Sequence, residues 1–389
     1  MGFKYGVIGA GRQGLSSAYD LIIFGEAEKV LLIDNDIDRA ETAANKVNEL
    51  TSSKICEPFN VDVKNSGELI SVLKGVNSIV SAVPYYFNLE LSKIAIEIGA
   101  NFCDMGGNTR VVRNQLKLDE EAKKAGISIV PDTGMDPGMN ISFIMHLVSL
   151  FDEPETIKSY GAGLTQNPTP PWNYNLSFNI NGLTNEYFGS AHFLQDGKVT
   201  EVPCFEGRES LDFPEPLGTL EAAVTSGGLS TLPWTLEGKL KTLENKTLRY
   251  PGHWSQFKAY SQLGLFELDP TEVNGKQIVP RDFYHALLEP KIYREDFKDI
   301  GIIKVIAKGK KDGKNASAEI ELIDKFDEQT GLTAMQRLTG WHSSTIAILA
   351  TRGDIEKGAL PVEKAVPGNV IIDEMQRRGL DVKQSFGFE

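Results

Sequence analysis

The chain has 389 residues, 41% hydrophobic and 24% charged, which is enough for two domains that each bury their own core. Forty basic against 53 acidic residues leave a net charge of -13, spread along the chain, which argues against a nucleic-acid backbone as the main ligand. With 3 scattered cysteines, 5 isolated histidines and no apolar run of membrane-spanning length, neither a disulfide framework, a metal site nor a membrane span is indicated, and a cytoplasmic, metal-free protein is expected.

The first 34 residues organise the rest of the chain. The apolar run Tyr5-Gly6-Val7-Ile8 enters Gly9-Ala10-Gly11-Arg12-Gln13-Gly14, and a second apolar run, Val30-Leu31-Leu32-Ile33, is closed by Asp34. This reads as strand, tight turn, helix and strand. Gly9 permits the turn, Gly11 lets backbone approach a pyrophosphate, Gly14 lets the helix pack on the strand, and Asp34 accepts from ribose hydroxyls. Arg12 and Gln13 lie at the helix amino end, whose free N–H groups and dipole suit an anion. A dinucleotide is therefore the expected cofactor. The carboxylate at Asp34 favours NAD, because it would repel a 2′-phosphate.

Further along, the apolar stripe of Ala40, Ala43, Ala44, Val47 and Leu50 predicts a helix over 37–50. Strands are expected at 55–62, 78–84, 101–104 and 127–132, alternating with helices at 66–73, 89–98 and 115–125. That alternation implies a doubly wound parallel sheet, a Rossmann arrangement over residues 1–140. Ligands bind beyond the carboxyl ends of such strands. Asp62, Val83, Pro84 and Met105 are accordingly candidate cofactor contacts, and Asp104, Asn108, Asp132 and Asp136 candidate substrate contacts. Asp136 before Pro137 also reads as the N-cap of a helix running to about Phe151, and Asp132 as a carboxylate that steadies the next loop.

From 141 to 342 the pattern favours antiparallel pairing in an α+β domain. Leu176, Phe178 and Ile180 alternate with polar residues as in a half-buried strand, and Asp196-Gly197 and Asp312-Gly313 read as hairpin turns. Residues 343–389 hold helices expected at 345–350 and 369–378 that return to the first domain.

Arg249, Tyr250 and His253 surround a Pro-Gly turn: a guanidinium that could clamp a carboxylate, a phenol, and an imidazole that exchanges protons near neutral pH. The bland reading is a surface turn with a packed histidine, and both stay open. Thr225-Ser226-Gly227-Gly228 reads as a plain glycine turn, Trp172 and His342 as packing residues, and Cys103 as a small buried hydrophobe.

Taken together, several stretches resemble the saccharopine dehydrogenase-like family, and within it the short lysine 6-dehydrogenase type. They are the glycine turn, Val130 to Gly138, Gly182-Leu183-Thr184-Asn185-Glu186-Tyr187, Thr225 to Leu229, and Lys246 to His253. Asp136 departs from the small residue expected there in many relatives, so the pocket lining should differ. The resemblance implies a Rossmann domain, an α+β catalytic domain, a homo-oligomer, and NAD-dependent oxidation of the terminal amine of L-lysine to an imine that water hydrolyses. It implies Arg249 as the carboxylate clamp, Asp132 or Asp136 as amine partners, and His253, then Tyr250, as the group that takes the proton. Two alternatives remain: a reductive coupling enzyme of the saccharopine or carboxynorspermidine type, and an NAD-sensing protein without turnover.

Overall fold

The computed structural model describes residues 2–389. The chain starts with β1 (Phe3–Ile8), α1 (Arg12–Phe24), β2 (Ala27–Asp34), α2 (Ile37–Thr51), β3 (Cys56–Asn60), α3 (Ser66–Leu73), β4 (Ser78–Ser81), α4 (Asn88–Ile98), β5 (Asn101–Asp104), α5 (Thr109–Leu116), α6 (Asp119–Ala125) and β6 (Ser128–Val130). All six strands pair in parallel, in the order β6-β5-β4-β1-β2-β3. Because β1 lies between β2 and β4, the winding reverses there, and a crevice opens at their carboxyl ends.

The predicted helix at 115–125 is two helices. Asn108 accepts a hydrogen bond from the Val111 amide and starts the first of them at Thr109, and the chain breaks at Lys117 and Leu118 before α6.

The second unit comprises α7 (Met139–Ser149), β7 (Glu153–Thr165), α8 (Ile180–Glu186), β8 (Ser190–Gln195), β9 (Lys198–Pro203), β10 (Glu209–Phe213), β11 (Gly218–Val224), α9 (Leu232–Leu236), β12 (Thr242–Arg249), α10 (His253–Gln262), β13 (Thr271–Val273), β14 (Lys276–Ile278), α11 (Pro280–Ile292), β15 (Asp299–Lys311) and β16 (Lys314–Lys325). Its main sheet runs β10-β11-β12-β7-β15-β16 and is antiparallel except where β12 meets β7. Both predicted hairpins form, with Gln195 opposite Lys198 and Lys311 opposite Lys314 across left-handed Asp-Gly pairs.

The strand expected around Leu176 to Ile180 does not form. Leu176 and Ile180 are buried, but the segment runs as an extended loop, with the Leu176 amide bonded to the Ile292 carbonyl. Asn179 then caps α8. Burial here does not alternate, since Ser177 is buried beside Leu176 and Phe178 is only partly covered, so the apolar spacing marks anchoring points of a loop and not the face of a strand.

The chain then returns through α12 (Ala334–Arg352), β17 (Gly358–Ala359), α13 (Val362–Ala365), α14 (Gly368–Arg377) and β18 (Val382–Phe388). α12 starts well before the expected 345, because Thr333 and Gln336 form a reciprocal capping box. It lies along α1, where Ser16 and Ser17 donate to the carbonyls of Gln336 and Gly340. A Cβ on Gly340 would come 2.9 Å from the Ser16 Cβ, so glycine is what allows this approach. β17 extends the parallel sheet beside β6, and β18 extends the second sheet beside β16, so the carboxyl end fastens both units.

Candidate active site

The glycine turn is built as its spacing predicts. Gly9 has φ +101°, and a Cβ there would meet the Ala82 carbonyl at 2.7 Å; one on Gly14 would lie 1.7 Å from the Gly9 carbonyl. A Cβ on Gly11 would meet nothing within 4 Å, so the turn leaves free space at the amino end of α1. That helix has neither a side-chain cap nor an acid in its first turn, and its first N–H groups stay available to an anion. Asp34 ends β2 beside this space. It accepts from the Ala10 amide at 2.8 Å and the Asp36 amide at 3.1 Å, with the Arg39 guanidinium 3.5 Å away. The residues fit a dinucleotide: an open anion cradle, and a carboxylate at the ribose end.

Of the other candidate cofactor contacts, Val83, Pro84 and Met105 are partly or fully exposed at the carboxyl ends of β4 and β5. Asp62 is exposed and bonds the Lys64 amide. Gln13 keeps a buried amide oxygen with no partner among the described residues. Arg12 turns away from the cradle. Its guanidinium donates to the Leu176 and Ser177 carbonyls at 3.3 and 3.5 Å and lies over the Phe297 ring, so its side chain fastens the turn to the second unit.

Four acids gather beyond β5 and β6. Asp104 is fully buried, accepts from the Gly106 amide and the Gln115 amide group, and is pushed up to about 6 by burial. Its bonds hold the loop after β5, and with Asn108 spent as a cap, both residues shape this loop from behind. Asp132 has φ +57° and is pushed up to about 7 by burial and by the charge of Asp104. Its carboxyl lies against Gly106, where a Cβ would come within 1.8 Å, and its Oδ1 has no partner among the described residues.

Asp136 is not an N-cap. α7 begins after Gly138, and the Asp136 carboxyl instead accepts from the amide groups of Asn140 at 2.8 Å and Asn245 at 3.2 Å. Both donors are neutral, so burial pushes Asp136 up to about 7, with Glu186 adding a smaller push. Gly161 and Gly228 make room for it: a Cβ on either would come within 2.6 Å of its oxygens.

Glu186 is an acid that the sequence pattern does not single out. It ends α8 and is pushed up to about 7 by burial, against the pull of Arg249, yet 32% of its side chain remains accessible. A desolvated carboxyl with open surface lines a cleft rather than a sealed core. The loop 225–228 fixes it in place, because Ser226 bonds the backbone carbonyls of Asn185 and Glu186. The plain glycine turn expected there is thus a clamp on the site.

Asn245, Thr247 and Arg249 alternate on β12 and share the face toward this cleft, whereas Leu248 and Tyr250 pack in the apolar cluster on the other face. Tyr250 donates to the Thr165 carbonyl and lies away from Asp136. Arg249 is buried, with Nη2 3.6 Å from Glu186 and Nε donating to the Tyr187 hydroxyl at 2.9 Å. Since that hydroxyl already accepts from Arg249, its own proton goes to His253 Nε2 at 3.0 Å, and His253 Nδ1 donates to the Trp172 carbonyl at 3.4 Å. His253 is also stacked on Phe257 at 4.1 Å and held well below its usual range by burial. Both ring nitrogens are committed, so no lone pair is left for a substrate proton. The structure makes His253 the end of a relay that positions Arg249.

A nucleotide cradle on a doubly wound sheet, with buried carboxyls where the loop after β6 meets a second α+β unit, is the architecture of a two-domain nucleotide-dependent enzyme. The Saccharopine dehydrogenase NADP binding domain model matches residues 5–130 and the Saccharopine dehydrogenase C-terminal domain model matches residues 134–380. The chain belongs to the saccharopine dehydrogenase family.

Among its relatives are "Saccharopine dehydrogenase [NADP(+), L-glutamate-forming]" of Pyricularia oryzae, 26% identical over 57% of this chain and 50% of that protein, and "Carboxyaminopropylagmatine dehydrogenase" of a Synechocystis species, 23% identical over 80% and 78%. The chain thus spans about half the length of the first. The fold is shared with apo saccharopine dehydrogenase (L-Glu forming) from Saccharomyces cerevisiae, at a TM-score of 0.78 and 18% identity over 99% of this chain and 100% of that one. It is also shared with a homospermidine synthase of Legionella pneumophila in complex with NAD, at 0.65 and 13% over 99% and 91%.

Proposed function

We propose that the protein is an NAD-dependent dehydrogenase acting on the terminal amine of an amino acid, with L-lysine as the leading substrate. The observation that carries this reading is the set of three desolvated carboxyls, Asp132 and Asp136 in the loop after β6 and Glu186 at the end of α8, each pushed up to about 7. A carboxyl in that range is partly ionised near neutral pH; it can pair with an ammonium group, whose charge offsets the cost of burying the carboxylate, and accept the proton that the amine loses on oxidation. A bound pyridine nucleotide would supply the hydride acceptor. The chain's own residues would do the rest: the first N–H groups of α1 hold the pyrophosphate, and Asp34 holds the ribose hydroxyls. Asp136 and Glu186 receive the amine and its proton. Asn140 and Asn245 keep the Asp136 carboxyl aimed, and Arg249 sets the orientation of Glu186.

A panel of L-lysine, related amino acids and diamines, assayed by absorbance of the reduced nucleotide with NAD and then NADP, tests this. NADH formation from L-lysine is expected, and its absence with every amine would sink the reading. The reductive coupling alternative predicts instead NADPH consumption when an amino acid is paired with an aldehyde.

Cofactor choice has its own test. Asp34 would repel a 2′-phosphate, but the Arg39 guanidinium between Asp34 and Asp36 could bind one. Asp34→Ser removes the repulsion and frees Arg39, so the ratio of NADP to NAD use should rise by about tenfold or more. An unchanged ratio would take Asp34 out of cofactor selection.

A further inference from the structure

Arg281, in the first turn of α11, is 5% exposed. Its Nε donates to the Phe266 carbonyl at 2.8 Å and its Nη1 to Asn185 Oδ1 at 2.9 Å. Nη2 is buried and has no partner among the described residues. A guanidinium carries five N–H donors and a permanent charge, and burying it without an anion is costly. Arg249, the other buried arginine of this region, has Glu186 as its counter-ion. Arg281 has none: no ion pair joins it to an acid among the described residues, and Glu267 and Asp282, whose charges reach it, are exposed at the surface.

Its place relative to the cleft is defined on two sides. Asn185, its hydrogen-bond partner, directly precedes Glu186 in the chain. Across from it, Tyr85 is close enough to act on its charge, and the Tyr85 ring lies 3.5 Å from the Cβ position of Gly107, in the loop against which Asp132 rests. The Phe188 ring, 4.7 Å from Cζ, flanks the guanidinium. A buried cation without a counter-ion therefore stands between the Asn185-Glu186 end of α8 and the loop against which Asp132 rests.

We infer that Arg281 is the carboxylate-binding residue of the substrate site, reading the α-carboxylate of an amino acid whose far amine is received by Asp136 and Glu186. This rests on the amine-oxidising reading above and gives to Arg281 the clamp that the sequence pattern suggested for Arg249. Arg249 is committed to Glu186 and Tyr187 and serves to position the acid. The Asn185 amide oxygen holds Nη1 in place and leaves the two Nη2 hydrogens for a carboxylate oxygen.

The test compares L-lysine with cadaverine, the same diamine skeleton without the carboxylate, in the wild type, Arg281→Ala and Arg281→Lys. In Arg281→Ala the preference for L-lysine in kcat/KM should fall by about a hundredfold, mainly through KM, and Arg281→Lys should restore part of it. Nucleotide Kd, followed by fluorescence, should not change. An unchanged preference overturns the proposal, and so does a raised nucleotide Kd with preference intact, which would give the guanidinium to the nucleotide. Should Arg281→Ala not fold, Arg281→Gln, which keeps one amide donor, carries the same readouts.

Calorimetric binding of L-norleucine to the NAD-loaded protein separates this from the parent reading, because norleucine has the carboxylate and no terminal amine. If no amine is oxidised, yet norleucine binds the wild type and not Arg281→Ala, the carboxylate site stands while the oxidation fails. No binding to the wild type overturns the carboxylate site, and the oxidation reading falls with it only if no amine is oxidised either.

Discussion

Replacing Asp136 by asparagine should lower kcat for amine oxidation by about a hundredfold or more and at the same time make the protein more stable at pH 8. Asparagine keeps one oxygen for the Asn140 and Asn245 donors, both of which reach Oδ1, so the fold has little to lose. What goes is the proton acceptor of the proposed reaction. The folded-state value of about 7 lies above the ordinary carboxyl value of about 4, so the folded protein binds this proton more tightly than the unfolded chain does. The stability this contributes is complete below about pH 4 and is lost as pH rises through 7. A neutral asparagine escapes that loss, so variant and wild type should diverge in thermal melts between pH 5 and pH 8. In kinetics, the wild-type kcat/KM should climb through the pH 6 to 8 window as Asp136 and Glu186 ionise, and the variant should keep only the shallower limb that Glu186 leaves. A variant as active as wild type, or one destabilised equally at pH 5 and pH 8, would show that Asp136 is a structural acid.

The parallel sheet is legible in the sequence because each of its signals is local. Gly9, Gly11 and Gly14 answer to backbone demands within one turn, and the strands at 78–81 and 101–104 are short segments with a β-branched or aromatic centre followed by breakers. The hairpins at Asp196-Gly197 and Asp312-Gly313 are legible for the same reason, since a two-residue turn with positive φ requires those residues. The site is less so, because its members meet through tertiary contacts. Glu186 stands inside a stretch that carries the family resemblance, yet nothing local distinguishes a cleft carboxyl from a helix-end surface acid. Asn245, Thr247 and Arg249 do carry a signal, a period of two, but it becomes informative only once β12 is known to put that face toward Asp136.

His253 misleads for a physical reason. Its sequence neighbourhood is that of a proton-exchanging imidazole, and only the packing of Phe257, Tyr187 and Trp172 around it exhausts its nitrogens. Asp136 misleads in the opposite direction: Asp-Pro is a common helix start, but Gly138 begins α7, and the carboxyl is free to face the cleft.

Arg378→Ala should be the most damaging single change far from the cleft, costing about 3–5 kcal/mol. Arg378 and Asp20 have no exposed side-chain surface and form a two-point pair at 2.8 and 3.0 Å; Ser344 donates to the same carboxylate, Glu374 takes a further guanidinium nitrogen, and Phe24 lies 4.5 Å beneath. These residues come from α1, α12 and the end of α14, so one buried ion pair fastens the helix of the nucleotide cradle to the carboxyl-terminal return. A buried pair is weak evidence of net stability, since desolvation offsets much of its attraction, but removing only the cation strands Asp20 in an apolar interior.

The double replacement Asp20→Leu with Arg378→Met should therefore recover most of the loss, which chemical denaturation midpoints of the four proteins in the cycle would measure. If the single and double variants are equally unstable, the damage comes from packing around Phe24 and not from the stranded charge. If neither is destabilised, the return is a loosely held appendage. The Ser16 and Ser17 bonds into α12 and the added strand β17 argue against that outcome. On the same ground, the chain shortened at 333 should fail to give a folded nucleotide-binding domain, although every strand that touches the cradle lies before that point.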